Sequence, residues 1–509
     1  MDGIKKNIML RKIRIAISLL IGVLLTIYLV DFAGLLPSKF HILAHIQLVP
    51  ALLAVNIAIL VALLLLTFIF GRVYCSSICP LGVYQDVITW FSRVVNPKKR
   101  FRYRKALTAM RWSFLGATFI AFISGSTFLL GLLDPYSAFS RIAIHVFKPA
   151  YQAGNNLLTL IFTHYGSDRF AHVSIYLLSV LSLIIALVTL LVVGYMAWVN
   201  GRIYCNSICP VGTTLGFFSR FSLFKIRINE NNCTSCSACA RSCKAQCISV
   251  KEHQVDASRC INCFDCLEVC NDDAIAFSYS FKLPIKNRKQ VVNASRRRFM
   301  MAVGVTGVAA THLLAQKVPG VNSIRTGRKS PISPPGSLSV SHLMDKCTSC
   351  HLCVSKCPAQ IIKPSFLEYG IGGIMQPILT FENDYCTYEC TACSDVCPTG
   401  ALLPLSIEQK KLNQMGQVHF VMENCIVFTD GVDCGRCYNR CPTEAIQMVD
   451  YKNNLSIPEV DSSLCVGCGG CEYICPAEPN KAIFVEGIPK HTTIRPKAKE
   501  VKKTDDFGF

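Results

Sequence analysis

Long apolar stretches dominate the first two hundred residues, and each is long enough to span about 30 Å of hydrocarbon as a helix. They run over Ile15–Leu35 (with Asp31 inside), Leu48–Phe70, Trp112–Leu133 and Val173–Val199. A fifth, weaker run covers Met300–Leu314, and only this one is short enough to read equally well as a buried core helix. The pattern predicts a polytopic α-helical membrane bundle. Basic residues give it a direction. Lys5, Lys6, Arg11, Lys12 and Arg14 precede the first run. The loop after the second carries Arg93, Lys98, Lys99, Arg100, Arg102, Arg104, Lys105 and Arg111. The first loop offers only Lys39, and the third only Arg141, Lys148 and Arg169. Lysine and arginine concentrate on the cytoplasmic side of short loops. The N-terminus, the second loop and the chain directly after Val199 are therefore expected in the cytoplasm.

An internal repeat supports this arrangement. Gly71-Arg-Val-Tyr-Cys75-Ser-Ser-Ile-Cys79-Pro follows the second apolar run, and Gly201-Arg-Ile-Tyr-Cys205-Asn-Ser-Ile-Cys209-Pro follows the fourth. Cysteines four apart share one face of a helix. Two such hairpins packed about a pseudo-twofold axis would bring Cys75, Cys79, Cys205 and Cys209 together at the cytoplasmic face, as a cofactor-binding set. Four soft ligands suit a further iron–sulfur cluster or a metal such as copper(I). A redox dithiol and a purely structural role remain the alternatives.

Composition agrees with a membrane protein and adds its chemistry. A length of 509 residues suggests two or three units. A mean hydropathy of +0.38 with 17% charged residues is too apolar for a soluble chain of that length. The net charge of +20 sits beside the apolar runs, where membrane topology accounts for it without nucleic acid. The 29 cysteines stand mostly two or three residues apart, a spacing for metal ligation; near neighbours cannot all pair as disulfides without strain.

Cys233, Cys236, Cys239 and Cys243, and then Cys260, Cys263, Cys266 and Cys270, match the bacterial ferredoxin run. In that run three close cysteines hold one [4Fe–4S] cluster and the fourth reaches across to its neighbour. Zinc sites instead use two separated cysteine pairs. Lys244 and Asn271 stand where proline usually follows the fourth cysteine, and Cys247 is surplus, read as a small packed residue. Four more motifs lie beyond residue 340: Cys347, Cys350, Cys353 and Cys357; Cys386, Cys390, Cys393 and Cys397; Cys425, Cys434, Cys437 and Cys441; Cys465, Cys468, Cys471 and Cys475. All four end C-x2-C-x3-C-P, and the spacing varies only at the first cysteine. About six [4Fe–4S] clusters follow, in α+β bacterial-ferredoxin-like domains. Cys347-Thr-Ser-Cys350-His351 spells a c-type haem attachment, but its place inside a four-cysteine run makes His351 a loop residue.

Between the cysteine groups, Ser295-Arg296-Arg297-Arg298-Phe299-Met300 and the weak apolar run have the form of a twin-arginine export signal. Lys317–Ser341, rich in proline, glycine and serine, reads as a linker. The expected domains are 1–229 (membrane), 230–290 (cytoplasmic two-cluster ferredoxin), 291–341 (signal or uncleaved anchor, and linker), 342–490 (periplasmic four-cluster ferredoxin) and 491–509 (tail).

With these motifs in place, residues 1–290 resemble the NapH-type membrane ferredoxin: four spans, two C-x3-C-P motifs and two cytoplasmic cluster motifs. Residues 295–490 resemble the NapG/MauM-type exported ferredoxin. The chain reads as a fusion of the two. The resemblance implies quinol dehydrogenation at the bacterial cytoplasmic membrane, with menaquinol or another quinol as donor. Electrons would pass to a periplasmic reductase or its cytochrome, of which the nitrate reductase system is the best-known case. The residues themselves agree on what is missing: no G-x-G-x-x-G follows a strand and no nucleophile constellation is present. His41, His45, Asp134, Tyr136, Arg141 and His145 lie in the outward loops, where quinol protons could leave, and read more readily as structural or interfacial. Two other functions compete: a copper reductase or assembly factor, which similar first halves serve, and a non-catalytic relay subunit of a larger complex.

Overall fold

The structure is a computed structural model that describes residues 2–31, 34, 36–165, 171–175, 178–279 and 328–494. The arginine triplet, the weak apolar run at 300–314 and residues 495–509 of the tail lie outside the described residues, whereas residues 491–493 of the expected tail belong to a strand. The first half is helical. Its helices are α1 (Asp2–Val30), α2 (Ile42–His45), α3 (Leu48–Leu53), α4 (Ile57–Phe70), α5 (Val73–Ser77), α6 (Pro80–Val95), α7 (Thr108–Ile123), α8 (Phe128–Leu133), α9 (Pro135–Ile142), α10 (Lys148–His164), α11 (Val180–Asn200), α12 (Ile203–Ser207) and α13 (Pro210–Phe218). One π-helical turn, Ala143–Phe147, joins α9 to α10.

Among the described residues, two helical segments, Met9–Val30 and Val180–Asn200, are long and apolar enough to cross a membrane. The other two expected spans differ from the sequence expectation. Leu48–Phe70 is broken: Val55 takes a left-handed φ of 55° and Asn56 caps α4 by accepting the amide of Ile59. Trp112–Leu133 is broken at Gly125 (φ 78°), which ends α7 and lets α8 turn back. Hydropathy averages over such breaks, because a cap and a left-handed residue change the path without changing the apolar content. As a result the chain re-enters the bundle twice. Gln47, just before α3, and Asp134, between α8 and α9, are buried there at 0% and 1% exposure. Tyr74 donates from Oη to Gln47 Oε1 at 2.9 Å, and Tyr204 donates from Oη to the Leu133 carbonyl at 2.9 Å. The outward loops of the sequence reading are thus partly interior: Asp134, Tyr136, Arg141 and His145 are all buried.

Two ferredoxin-like units pack at opposite ends of these helices. In the first, Phe224–Ile228 pairs antiparallel with Ile275–Tyr279, and Ile248–Ser249 with Gln254–Val255. In the second, Asn413–Phe420 pairs with Ile483–Thr493, Ile446–Asp450 with Ser456–Val460, and Ile362–Pro364 with Pro377–Leu379. Arg11 of α1 bonds Asp265 of the first unit, while Asp31, just past the other end of α1, bonds Lys356 of the second. Twenty helical residues separate these contacts, about 30 Å at 1.5 Å per residue. Lys244, standing in place of the usual proline, belongs to this docking. Its ammonium pairs with Asp86 of α6 and Asp265, and its carbonyl accepts the amide of Arg202. Nothing in the structure explains Asn271.

Candidate metal centres

The cysteine loops are shaped by backbone as well as sulfur. In C-x2-C-x2-C the residues flanking the middle cysteine take left-handed φ: Ser235 and Ser237, Asn262 and Phe264, Ser349 and His351, Gly467 and Gly469. Such turns aim successive amides into one concavity, a nest for an anionic group. His351 is therefore a loop residue, as its motif implied. The two motifs with a more distant first cysteine, at Cys386 and Cys425, lack this pair of turns among their flanking residues.

The loops bring together six sets of four thiols, and each set crosses between motifs. Cys260, Cys263 and Cys266 line one cavity with Cys243, and Cys233, Cys236 and Cys239 lie near Cys270. The crossing expected from the bacterial run is present. It continues in the second unit. Cys347, Cys350 and Cys353 line a cavity with Cys397, and Cys386, Cys390 and Cys393 gather with Cys357. Cys465, Cys468 and Cys471 enclose a cavity with Cys441, and Cys425, Cys434 and Cys437 face Cys475. Burial pushes the Cys350 and Cys465 thiols up to about 12, the cost of a buried thiolate with no metal beside it. A cluster held by each set would remove that cost, since a coordinating thiol is deprotonated outright. Among the described residues, no three His, Cys, Asp or Glu side chains are drawn tight enough to hold a single ion. Thiols spread around a cavity fit a polynuclear cluster instead.

Cys247 is packed as expected, and it lies beside the ligand sulfurs. It is 1% exposed and lines the same cavity as Cys243, Cys260, Cys263 and Cys266. Its sulfur lies 3.7 Å from that of Cys243. The two sulfurs are within hydrogen-bonding reach, a contact that alanine at the equivalent Ala274 cannot make.

A seventh set is built by the repeat. Cys79 and Cys209 are the N-caps of α6 and α13, followed by Pro80 and Pro210 in the first turn, where proline's missing amide costs nothing. Gly71 (φ 70°) and Gly201 (φ 65°) reverse the chain ahead of each pair. Cys75, Cys79, Cys205 and Cys209 all lie within electrostatic range of one another. The repeats clasp reciprocally: Arg72 donates to the Cys205 carbonyl at 3.1 Å and Arg202 to the Cys75 carbonyl at 3.0 Å. Both guanidinium groups are fully buried. Gly82 and Gly212 permit the close approach, since a Cβ on either would meet the partner repeat's arginine and a cysteine carbonyl under 3.0 Å. Two fixed cations beside four thiols suit a centre of net negative charge.

Side chains around this set connect it directly to the first ferredoxin unit and, through the end of α8, to the second. Arg72 donates to the Ser258 carbonyl and Asn206 to the Ala245 carbonyl, on the first unit. On the other side, Tyr204 reaches the α8 end, and Arg141 lies within electrostatic range of Tyr204, Cys350 and Cys347. Arg141 also donates to the Ser349 carbonyl at 3.1 Å. Sequence reasoning named Arg141 only as a loop residue and passed over Arg72 and Arg202, although their recurrence in both copies of the repeat was the available signal.

Comparison with known proteins gives the same chemistry. A family model described as a 4Fe-4S binding domain matches residues 52–98 and 178–229, both C-x3-C-P hairpins. Models described as 4Fe-4S dicluster domains match residues 256–361, and 346–401 with 432–478. The chain is an iron–sulfur electron-transfer protein, a polyferredoxin. The ferredoxin-type protein NapF of Escherichia coli (strain K12) is 30% identical over 172 residues, 33% of this chain and 94% of NapF. NapG of the same strain is 31% identical over 198 residues, 36% of this chain and 82% of NapG. The methylamine utilization ferredoxin-type protein MauM of Methylobacillus flagellatus is 35% identical over 155 residues, and this chain spans 63% of its length. The chain belongs to the NapF/NapG ferredoxin-type family. No solved structure matches it.

Proposed function

We propose that this protein carries electrons from quinol in the bacterial cytoplasmic membrane to a reductase, or its cytochrome, on the periplasmic side. In this reading α1 and α11 span the bilayer, the shorter apolar helices α4 and α7 lie within it together with the re-entrant segments that follow the breaks, the first ferredoxin unit is cytoplasmic and the second is exported. The exposed apolar side chains Leu20, Ile57, Phe119 and Leu191, each more than 60% exposed, face lipid. The four cysteines of the repeat hold a further iron–sulfur centre.

The observation that carries the reading is the position of that four-thiol set, joined to the first unit through Arg72 and Asn206 and to the second through Tyr204, the end of α8 and Arg141. It supplies the stepping stone that the sequence alone lacked for crossing about 30 Å of hydrocarbon. Clusters supply one-electron steps when bound. The chain's own contribution is to hold thiolates, exclude water and fix the spacing of the centres. A copper reductase or assembly role fits less well, since it leaves the four cysteine sets of the second unit without a use. The test is anaerobic addition of a reduced menaquinol analogue to the purified, oxidised protein. Bleaching of the cluster absorbance within turnover time supports quinol oxidation. Full bleaching by dithionite with none by the quinol ends the proposal.

A further inference from the structure

Lys410 is an anomaly in the second ferredoxin unit. It lies in the short helix Ile407–Leu412, opened by a capping box between Ser406 and Gln409. Its neighbour Lys411 points outward and pairs with Glu389 at 2.6 Å. Lys410 points inward: it is 0% exposed and its Nζ makes no complete hydrogen bond. An isolated ammonium buried this way is strongly unfavourable unless an opposite charge compensates it. Its charge bears on sulfurs from two different sets. It lies within electrostatic range of Cys386 and of Cys393 in that set. In the set completed by Cys441, it acts on Cys468. The two sets are joined at the same place, where the Cys386 amide donates to the Cys468 carbonyl at 2.9 Å.

We propose that Lys410 is the shared counter-ion of these two clusters and sets both of their reduction potentials. The inference rests on the family reading that the sets hold [4Fe–4S] clusters, and not on the identity of the donor. An oxidised cluster with four thiolates is a dianion, and adding one electron makes it a trianion. A fixed cation stabilises the more negative form, so both potentials rise. Net charge and hydrogen bonds to sulfur are established levers on cluster potential. Lys410 is a positioning residue in this sense: it takes up no electron and moves none. Its effect is to make the adjacent pair the sites where two electrons come to rest, between the cluster docked on the helices and the one completed by Cys475. The electrons are those of any donor strong enough to reduce the chain.

The experiment is a mediated redox titration of the full chain in detergent, followed by electron paramagnetic resonance, comparing wild type with Lys410→Met. Signals of the two clusters are assigned with Cys390→Ala and Cys465→Ala. The expected result is a downward shift of those two midpoints by at least tenfold in the reduction equilibrium, about 59 mV for a one-electron couple. The remaining midpoints stay in place. Unshifted midpoints in a variant with wild-type iron overturn the proposal. Should Lys410→Met assemble incompletely, Lys410→Arg and Lys410→Gln decide. Midpoints kept by arginine and lowered by glutamine uphold a charge role, and equal midpoints in both refute it. Chemical mediators replace quinol throughout, so failure here is separable from failure of the quinol reading.

Discussion

Nε2 of His145 lies 2.7 Å from Nδ1 of His351, joining the helical half to the loop between Cys350 and Cys353. His351 Nε2 lies 3.0 Å from the Met375 carbonyl. That carbonyl can only accept, so His351 carries its hydrogen on Nε2 and accepts from His145 on Nδ1. Replacing His145 with leucine leaves a buried acceptor unpaired, at a cost of about 1–3 kcal/mol. Hydrogen exchange in residues 347–356 should speed up accordingly. The pair His145→Leu with His351→Leu removes both polar groups and should recover much of the protection. If the single variant exchanges like wild type, the contact does not hold the units together.

The repeat predicts that Cys75, Cys79, Cys205 and Cys209 act as one unit. Three remaining thiols cannot complete a four-ligand site. Cys75→Ser and Cys209→Ser should each abolish reduction of the second unit by quinol, and the double variant should be no worse than either. Independent dithiols would leave about half the activity in each single variant, compounding in the double.

Ligand crossing within the second unit can be read from spectra. Cys397→Ala should delete the same cluster as Cys347→Ala and spare the one held by Cys386, Cys390 and Cys393. Each variant should lose about four irons, those of a single [4Fe–4S] cluster. Spectra in which Cys397→Ala matches Cys393→Ala would mean that each motif holds its own cluster.

Topology is tested by reporter fusions after Asn287 and after Phe509. A cytoplasmic signal from the first and a periplasmic signal from the second are expected. Two cytoplasmic signals would remove the case for an outside acceptor.

The site was more legible than its surroundings. Spacing alone marked out the cysteines that the fold brings together, because three thiols on one tight loop converge wherever that loop packs. The crossing of Cys357 and Cys397 was not legible, since it depends on how adjacent loops pack. The breaks at Val55 and Gly125 were hidden because a cap interrupts a helix while leaving hydropathy unchanged. Lys410 gave no signal at all. In the run Gln409-Lys410-Lys411, only burial distinguishes one lysine from the other.

His491 gives the second unit a dependence on pH. Burial lowers its imidazole to about 4 from an ordinary 6.5, and it is held by Ser333 Oγ at 2.8 Å. Between these values the unfolded chain binds a proton that the folded chain does not, so stability rises with pH across the window and falls on acidification through it. The contribution is at most about 3 kcal/mol. Chemical unfolding of wild type and His491→Gln, measured at pH 7 and pH 5, should show a smaller loss on acidification in the variant. Equal losses would show that another group carries the dependence.

The clasp made by Arg72 has a consequence for biosynthesis. Its acceptors at Cys205 and Ser258 stand 133 and 186 residues further along the chain. A ribosome that has finished the first hairpin has therefore produced a cation whose carbonyl acceptors do not yet exist. The four-thiol pocket can close only after the second hairpin and the start of the first ferredoxin unit have emerged, so metal loading there is a late event. A chain cut between the two hairpins has no way to finish it.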